Sequence, residues 1–210
     1  MNRSFRIGVD IGQRVDHSAL CLTEDMPEKA VVKLLVKYPL GTPYKLLVET
    51  VANMVRSIGH QGDIVSFIVD ATGVGAAPTQ MFQEAIPEVT VRPFIFSNKT
   101  KRELIGKVKV LHSFGRLRFA TRRGDEIYNR TLHELVGEMR QLQAKVLKDE
   151  SGTAEVEIFK TGKHDDLFTA LALAVKDVQF DKPASISFVK DNTWIETPLD
   201  DKNMPSVVFF

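Results

Sequence analysis

The chain has 210 residues, 43% of them hydrophobic and 26% charged, and its formal net charge is +1. This composition is typical of a globular protein with a buried core, and it excludes a chain that is disordered over its full length. Cys21 as the single cysteine excludes an intramolecular disulfide framework, and every apolar run is shorter than the roughly 20 residues of a membrane span. We therefore expect a reducing, cytoplasm-like environment and no membrane partner.

The charges are unevenly distributed along the chain. Residues 92–123 contain ten basic residues and one acidic residue, so this segment carries +9 and the remainder carries −8. A basic stretch on an otherwise acidic protein is typical of a polyanion contact beside a carboxylate-rich site. A solvated helix face explains the same charges, and both interpretations stay open at this point.

The first half of the chain predicts strands interrupted by helices. The run Ile64–Val69 is almost wholly apolar, as in a central strand covered on both faces, and it leads directly into Asp70. Thr42 and Pro43 are typical of a helix start. The predicted elements are a hairpin of Phe5–Asp10 and Ser18–Thr23, a strand over Ala30–Tyr38, a helix over Tyr44–Ile58, the strand Ile64–Val69, a short helix opened by Pro78, and a strand over Val89–Phe96.

The second half predicts more helix. In a helix over Thr100–Phe114, the apolar spacing leaves Lys101, Arg102, Lys107 and Lys109 mostly outward. The alternation of strands and helices predicts an α/β domain on a mixed sheet over residues 1–180, with 181–210 as a tail or linker. The other predicted elements are a strand over Leu117–Ala120, a long helix over Asp125–Leu147, a hairpin around Glu150–Lys160, a helix that begins at Asp165–Asp166, and an edge strand at Ile186–Val189 in the tail.

Four acidic residues stand at the ends of these elements. Asp10 and Asp70 each end an apolar strand, and Asp165 and Asp166 begin a helix. If the two strands are neighbours and the helix packs across them, the carboxylates converge and raise each other's pKa values. Divalent cations relieve that repulsion, and all-oxygen ligands favour Mg²⁺ or Mn²⁺, with two ions suited to phosphodiester cleavage.

Taken singly, each acidic residue has a structural explanation. Asp10 could be a turn residue and Asp166 a helix N-cap, whereas Asp70, after six apolar residues, is harder to explain by packing. Asp16 and His17 follow Asp10 on the hairpin turn, where a plain turn role competes with support of the site. Lys163 could counter charge on a phosphate, and His164 could orient a ligand or be an exposed residue before the helix.

Four segments together resemble a known family. RIGVDIGQRVDHSALCL, FIVDATGVGAAPTQMF, KTKRELIGKVKVLHSFGRLRFA and KHDDLFTALALAV, in this order, are similar to the nuclease domain of the large terminase subunit of tailed bacteriophages. The resemblance implies an RNase H-like fold, with a β-hairpin near the active site, and a metal-dependent endonuclease that cuts concatemeric double-stranded viral DNA during genome packaging. It places Asp10, Asp70 and Asp165 or Asp166 at metal-binding and catalytic positions, with Mg²⁺ or Mn²⁺, and leaves open which of the last two is the direct ligand.

The resemblance also implies partners. No phosphate-binding P-loop pattern is present, since neither Gly106-Lys107 nor Gly162-Lys163 is followed by Ser or Thr, so we expect the nuclease domain without its ATPase. Double-stranded DNA, the terminase ATPase domain, the small terminase subunit and the portal protein are the expected partners, in the host cytoplasm and transiently at the procapsid portal. The expected DNA-binding residues are Lys99, Lys101, Arg102, Lys107, Lys109 and Lys163.

Other functions share parts of this pattern. A Holliday-junction resolvase-like nuclease has the same acidic arrangement and cuts a different DNA structure. Actin-like ATPases also have a GVDIG-like first loop, but they need two such domains and more residues than this chain has. A DNA-binding or portal-docking module with a decayed site is disfavoured because all the acidic positions are retained.

Overall fold

The computed structural model describes residues 3–12, 16–73, 77–120, 122–148, 154–160 and 164–180. No helix within these ranges is long and apolar enough to cross a membrane. The strands are β1 Arg3–Asp10, β2 Ala19–Met26, β3 Lys29–Lys37, β4 Gly62–Asp70, β5 Val91–Phe94, β6 Leu117–Phe119, β7 Leu142–Lys148 and β8 Ala154–Lys160. The helices are α1 Tyr44–Gly59, α2 Ala77–Ala85, α3 Asn98–Ser113, α4 Glu126–Arg140 and α5 Asp166–Val175.

Six of the strands form one mixed sheet in the order β5-β4-β1-β2-β3-β6. The hairpin of β1 and β2 is antiparallel, as predicted, and β3 adds to it antiparallel. Strands β4 and β5 lie parallel to β1 on one side, and β6 lies parallel to β3 on the other. The prediction of an α/β fold with a central mixed sheet is confirmed.

Helices cover both faces of this sheet. On one face, Phe67 and Val69 pack against α1 and α2 in a cluster that includes the fully buried Phe82. On the other face, Ile68 packs in a cluster built by α3, α4 and α5. Because successive strand residues point to opposite faces, the second half of β4 is buried on both faces, and its apolar run Phe67–Val69 fits this position, whereas Val65 in the first half is exposed.

Helix α5 lies unusually close to β1. A Cβ atom added at Gly8 would be 2.1 Å from the carbonyl oxygen of Ala170 and 2.4 Å from the backbone nitrogen of Ala174. Only a residue without a side chain allows the helix backbone this approach, and Ala170 and Ala174 keep the facing surface flat. The contact fixes the position of α5 over the strand that ends at Asp10.

The helix predicted over Asp125–Leu147 is wrong in its last part. Helix α4 ends at Arg140, and β7 pairs antiparallel with β8 from Leu142 opposite Lys160 to Lys148 opposite Ala154. Residues 142–148 contain helix-forming types without Gly or Pro, so strand pairing overrides their local preference. The hairpin is therefore longer than the predicted Glu150–Lys160, and its tip at 149–153 lies outside the described residues.

The C-terminal segment 181–210, with the predicted edge strand Ile186–Val189, lies outside the described residues. The division into a domain over 1–180 and a tail over 181–210 therefore stays a prediction.

Candidate metal centre

Asp10 and Asp70 lie side by side at one edge of the sheet. Strands β1 and β4 are parallel, Val9 is paired with Val69, and the two aspartates come next in each strand. Neighbouring strands are about 4.8 Å apart, so their carboxylates project into one volume beyond the strand ends. The predicted convergence of these two residues is what the topology produces.

A turn holds the Asp70 carboxylate in place. The backbone N–H of Thr72 donates to Asp70 Oδ1 at 2.7 Å, and the Thr72 hydroxyl accepts from the N–H of Phe96 at 2.8 Å. The chain continues through Gly73, whose φ of +81° is in the left-handed region that favours glycine. One oxygen of Asp70 is thus fixed by its own turn.

The first turn of α5 adds Asp165 and Asp166 to the same place. Asp166 is 5% exposed, and its Oδ2 atom is buried without a hydrogen-bond partner. Asp165 is 9% exposed, and its Oδ2 lies 2.8 Å from Nζ of Lys101, which belongs to the first turn of α3. The close packing of α5 on β1 at Gly8 brings both aspartates to the edge where Asp10 lies.

The four carboxylates influence one another's pKa values. Burial raises the pKa of Asp10 well above its usual value, and repulsion from Asp70, Asp166 and Asp165 raises it further. Burial also raises the pKa of Asp70. Repulsion from Asp165 adds to this rise, and the hydrogen bonds from Thr72 offset part of it. For Asp166 burial is again the main cause of a raised pKa, with His164 acting in the opposite direction. The ionised cluster is therefore short of positive charge.

A histidine and a further aspartate border the cluster. His164 Nδ1 lies 3.5 Å from Asp16 Oδ1 and 3.9 Å from Asp166 Oδ2, and ligand atoms of these three residues lie within 4.8 Å of one another. His17 contacts the His164 ring at 5.9 Å between centroids, and its Nδ1 is 2.8 Å from the Tyr38 carbonyl oxygen. The interpretation of Asp16 as a plain turn residue and of His164 as a simply exposed residue misses this proximity.

Glu138 on α4 is a further buried carboxylate that interacts with the cluster, and the sequence patterns above do not single it out. Burial raises its pKa to about 7, and repulsion from Asp166 and Asp165 adds to this. Its signal in the sequence is its place among Leu135 and Met139 on the apolar side of an amphipathic helix, where an acidic residue is out of pattern.

The basic residues of α3 do not all face outward, so the expectation for Lys101 and Lys107 is wrong. Lys101 contacts Asp165, and Lys107 donates to the carbonyl oxygen of Val178 beyond the end of α5, since both lysines lie on the side facing α5. Lys99 and Lys109 are exposed, Arg102 is half-buried, and Lys163 lies outside the described residues.

The donor set suits a hard divalent cation. Asp10 interacts electrostatically with the carboxylates of Asp70, Asp165 and Asp166, and among the described residues the ligand atoms within 4.8 Å of one another belong to Asp16, His164 and Asp166. Oxygen-rich sets of this kind favour Mg²⁺ or Mn²⁺, whereas structural zinc sites use mainly cysteine and histidine. An unpartnered, buried oxygen of Asp166 is consistent with a ligand position.

Comparison with known proteins gives a consistent result. The family model of the terminase RNaseH-like domain matches residues 7–177. No curated protein sequence matches the chain.

Solved structures share the fold at low sequence identity. The large terminase nuclease domain of Thermus phage P74-26 is 18% identical, with a TM-score of 0.60 over 88% of this chain and 84% of that chain. The large terminase nuclease of thermophilic phage G20c is 18% identical, with a TM-score of 0.56 over 84% and 83%. The human cytomegalovirus terminase nuclease domain, soaked with manganese, is 9% identical, with a TM-score of 0.56 over 83% and 82%. The RNase H-like fold is therefore confirmed.

Proposed function

The chain belongs to the family of terminase RNase H-like domains, and we propose that it is a metal-dependent endonuclease that cuts concatemeric double-stranded viral DNA during genome packaging. The observation that carries this proposal is the convergence of Asp10, Asp70, Asp165 and Asp166 from two strand ends and one helix start. Such a group of buried and half-buried carboxylates is costly without a compensating cation, and this arrangement is typical of a functional site.

These four aspartates would hold Mg²⁺ or Mn²⁺, as two ions by our proposal. When bound, the cations supply Lewis-acid activation of an attacking water and stabilisation of the leaving oxygen of the phosphodiester. The manganese-soaked structure of the human cytomegalovirus domain supports the choice of Mn²⁺ as a probe.

We assign separate roles at the cation site to Asp10, Asp70 and Lys101. Asp10 lies beside Asp70 and interacts with both α5 aspartates, so it would hold the cations together with residues of β4 and α5. Asp70 has one oxygen occupied by the N–H of Thr72, which fixes the carboxylate in one orientation and leaves its second oxygen for the site. Lys101 orients Asp165 and brings a positive charge to the place where a phosphate would approach.

We propose that DNA approaches along the start of α3. Lys99 is exposed in the same first turn of α3 as Lys101, which contacts Asp165, whereas Lys107 is held at the far end of α5. Lys99, Lys101, Arg102, Lys109 and Lys163 are assigned to the phosphate backbone, and Lys107 to a supporting position. Contacts of this type bind many sequences and weaken with salt.

The wider setting is part of the same proposal. Family membership supports a role beside a terminase ATPase domain, a small terminase subunit and a portal protein. The site of action would be the host cytoplasm and, transiently, the procapsid portal.

Cleavage of supercoiled plasmid by the purified chain tests the proposal. We expect nicking and linearisation with Mg²⁺ or Mn²⁺ and none with EDTA, and we expect Asp10→Asn and Asp70→Asn to remove the activity. A folded chain that leaves plasmid intact with both metals would contradict the proposal, as would full activity of either variant.

A further inference from the structure

Glu138 is bound to the start of α5 although it belongs to another helix. The backbone N–H of Phe168, the third residue of α5, donates to Glu138 Oε2 at 2.8 Å. The side chain is 7% exposed, so this hydrogen bond is formed away from solvent. A side-chain oxygen that accepts from one of the first backbone N–H groups of a helix satisfies a donor that has no partner within the helix.

This bond replaces a cap that α5 lacks. The N-cap residue is Asp165. The side-chain oxygen of an aspartate at this position commonly accepts a hydrogen bond from the second or third backbone N–H of the helix. Here its side chain makes no capping bond, and its Oδ2 lies against Lys101 instead. Because Glu138 satisfies the N–H of Phe168, the Asp165 carboxylate does not cap α5 and lies against Lys101 beside the acidic cluster.

The other carboxylate oxygen of Glu138, Oε1, is buried without a hydrogen-bond partner and lies at the edge of ion-pair distance from Lys37 at the end of β3. Nζ of Lys37 lies 4.0 Å from Glu138 Oε1 and 3.1 Å from Glu134 Oε2. Lys37 is paired with Ala19, which is paired with Asp10, so the three residues form one row across β3, β2 and β1. The end of α4 is thus tied to the row of the sheet from which Asp10 projects.

We propose that Glu138 is a positioning residue that caps α5 from outside and so fixes Asp165 and Asp166 in the orientation that binds a divalent cation. Glu138 acts through the backbone of Phe168 and the packing of α5, and it does not bind the cation. The inference rests on the proposed function for the cation, while the capping role can be tested without one.

Four variants separate the capping role from a general effect of charge or packing. Glu138→Gln keeps an acceptor oxygen at the same reach and removes the charge, while Glu138→Met keeps the volume and removes the acceptor. Glu138→Asp keeps the charge and shortens the reach. Glu134→Ala is the matched control, since Glu134 shares the contact with Lys37 one turn earlier on α4 and is 42% exposed.

Hydrogen exchange of the Phe168 amide in EDTA tests the cap directly. We expect slow exchange in the wild-type chain, Glu138→Gln and Glu134→Ala, and at least tenfold faster exchange in Glu138→Met and Glu138→Asp. If Glu138→Met does not fold, the exchange rate in Glu138→Asp is compared with that in the wild-type chain instead. Unchanged exchange in the folded Met or Asp variant would overturn the proposal.

Binding of Mn²⁺, followed by electron paramagnetic resonance on the folded proteins, tests the effect on the site. Residues that orient metal ligands typically change affinity about 10–100-fold, so we expect a loss of this size in Glu138→Met and Glu138→Asp, with Glu138→Gln close to wild type. Equal losses in Glu138→Gln and Glu138→Met would identify Glu138 as a direct ligand and overturn the proposal, and so would wild-type affinity in both Met and Asp variants. Absence of Mn²⁺ binding by the wild-type chain would instead count against the proposed function, and the exchange experiment would still decide the capping role.

Discussion

Asp10 and Asp70 end two adjacent parallel strands, each one residue beyond the paired Val9 and Val69. Burial together with the neighbouring carboxylates, that of Asp70 first, raises the pKa of Asp10 well above its ordinary range. The protein therefore holds charges close together at a cost to its own stability, which is the usual relationship between a functional site and the fold that carries it.

Replacing one of these charges separates stability from activity. We expect Asp10→Asn to raise the free energy of unfolding in EDTA by about 1–3 kcal/mol at pH 8, because it removes a buried charge and its repulsion. The same variant loses plasmid cleavage. Urea unfolding and the cleavage assay on one preparation check both effects, and a variant less stable than wild type in EDTA would contradict the account.

The stability of the metal-free protein depends on pH in a defined direction. The pKa of Glu138 rises from 4.5 to about 7 in the folded protein. The folded state then binds more protons than the unfolded state between these values, so stability is fully present below pH 4.5 and is lost as the pH rises through 7. The contribution of Glu138 is on the order of 3 kcal/mol.

Other ionisable groups also contribute to the pH dependence of stability in this range. Asp165 and Asp166 raise the pKa of Glu138 by charge repulsion, and Lys37 lowers it. Asp10 and Glu138 repel each other as well, so both carboxyls favour the protonated form. Carboxyls with lowered pKa values, such as Glu24 beside Arg3, lose their stabilising effect only below their ordinary values and so outside this window. Urea unfolding in EDTA from pH 5 to 8 measures the slope, which we expect to be strongly reduced in Glu138→Gln. Burial lowers the pKa of His112, so this residue makes stability rise with pH below its ordinary value and opposes the effect of Glu138. The comparison with Glu138→Gln isolates the contribution of Glu138, and an unchanged slope in that variant would refute the assignment.

The approach of α5 to β1 gives a prediction about packing. Gly8→Ala places a methyl group 2.1 Å from the Ala170 carbonyl oxygen and 2.4 Å from the Ala174 nitrogen, both backbone atoms. Relief of this overlap requires α5 to move, so we expect a loss of about 3 kcal/mol or more. Gly106→Ala is the control, because nothing lies within 4 Å of its added Cβ in α3. That change should stabilise the protein by up to about 1 kcal/mol, as alanine does in helices.

The assignment of α3 to DNA predicts a salt effect. Lys99→Gln should weaken binding of a 30-base-pair duplex and lower the slope of log K against log salt by about 0.9, the value for one phosphate contact. Lys45→Gln is the control, since Lys45 is 83% exposed on α1, which covers the opposite face of the sheet. Fluorescence anisotropy at several salt concentrations gives both slopes. Equal slopes for Lys99→Gln and wild type would remove Lys99 from the interface.

The parts of the site that the sequence predicts are those set by strand ends. Asp10 and Asp70 follow apolar strands, and parallel pairing of those strands is enough to bring them together. Asp165 and Asp166 could be included in the predicted site because the alanines of α5 indicate that this helix packs closely on the sheet. Each of these sequence patterns lies within a single strand or helix, so the site could be predicted once the elements were assumed to be neighbours.

The rest depends on contacts between residues far apart in the chain. Asp16 and His164 are far apart in the sequence, and only the fold brings Asp16, which precedes β2, next to His164, which precedes α5. Lys101 turns inward because Asp165 attracts it, which helix periodicity alone does not reveal. The β7 strand forms through pairing with β8 in a segment whose composition favours helix.

The position of manganese in crystals grown with Mn²⁺ tests the central claim most directly. Anomalous diffraction at the manganese edge locates the ion independently of the protein atoms, and it shows which of Asp165 and Asp166 is a direct ligand. We expect a peak in contact with Asp10 and with at least one of those two aspartates. A peak bound without Asp10, or none at this edge of the sheet, would contradict the claim that β1, β4 and α5 build one metal centre.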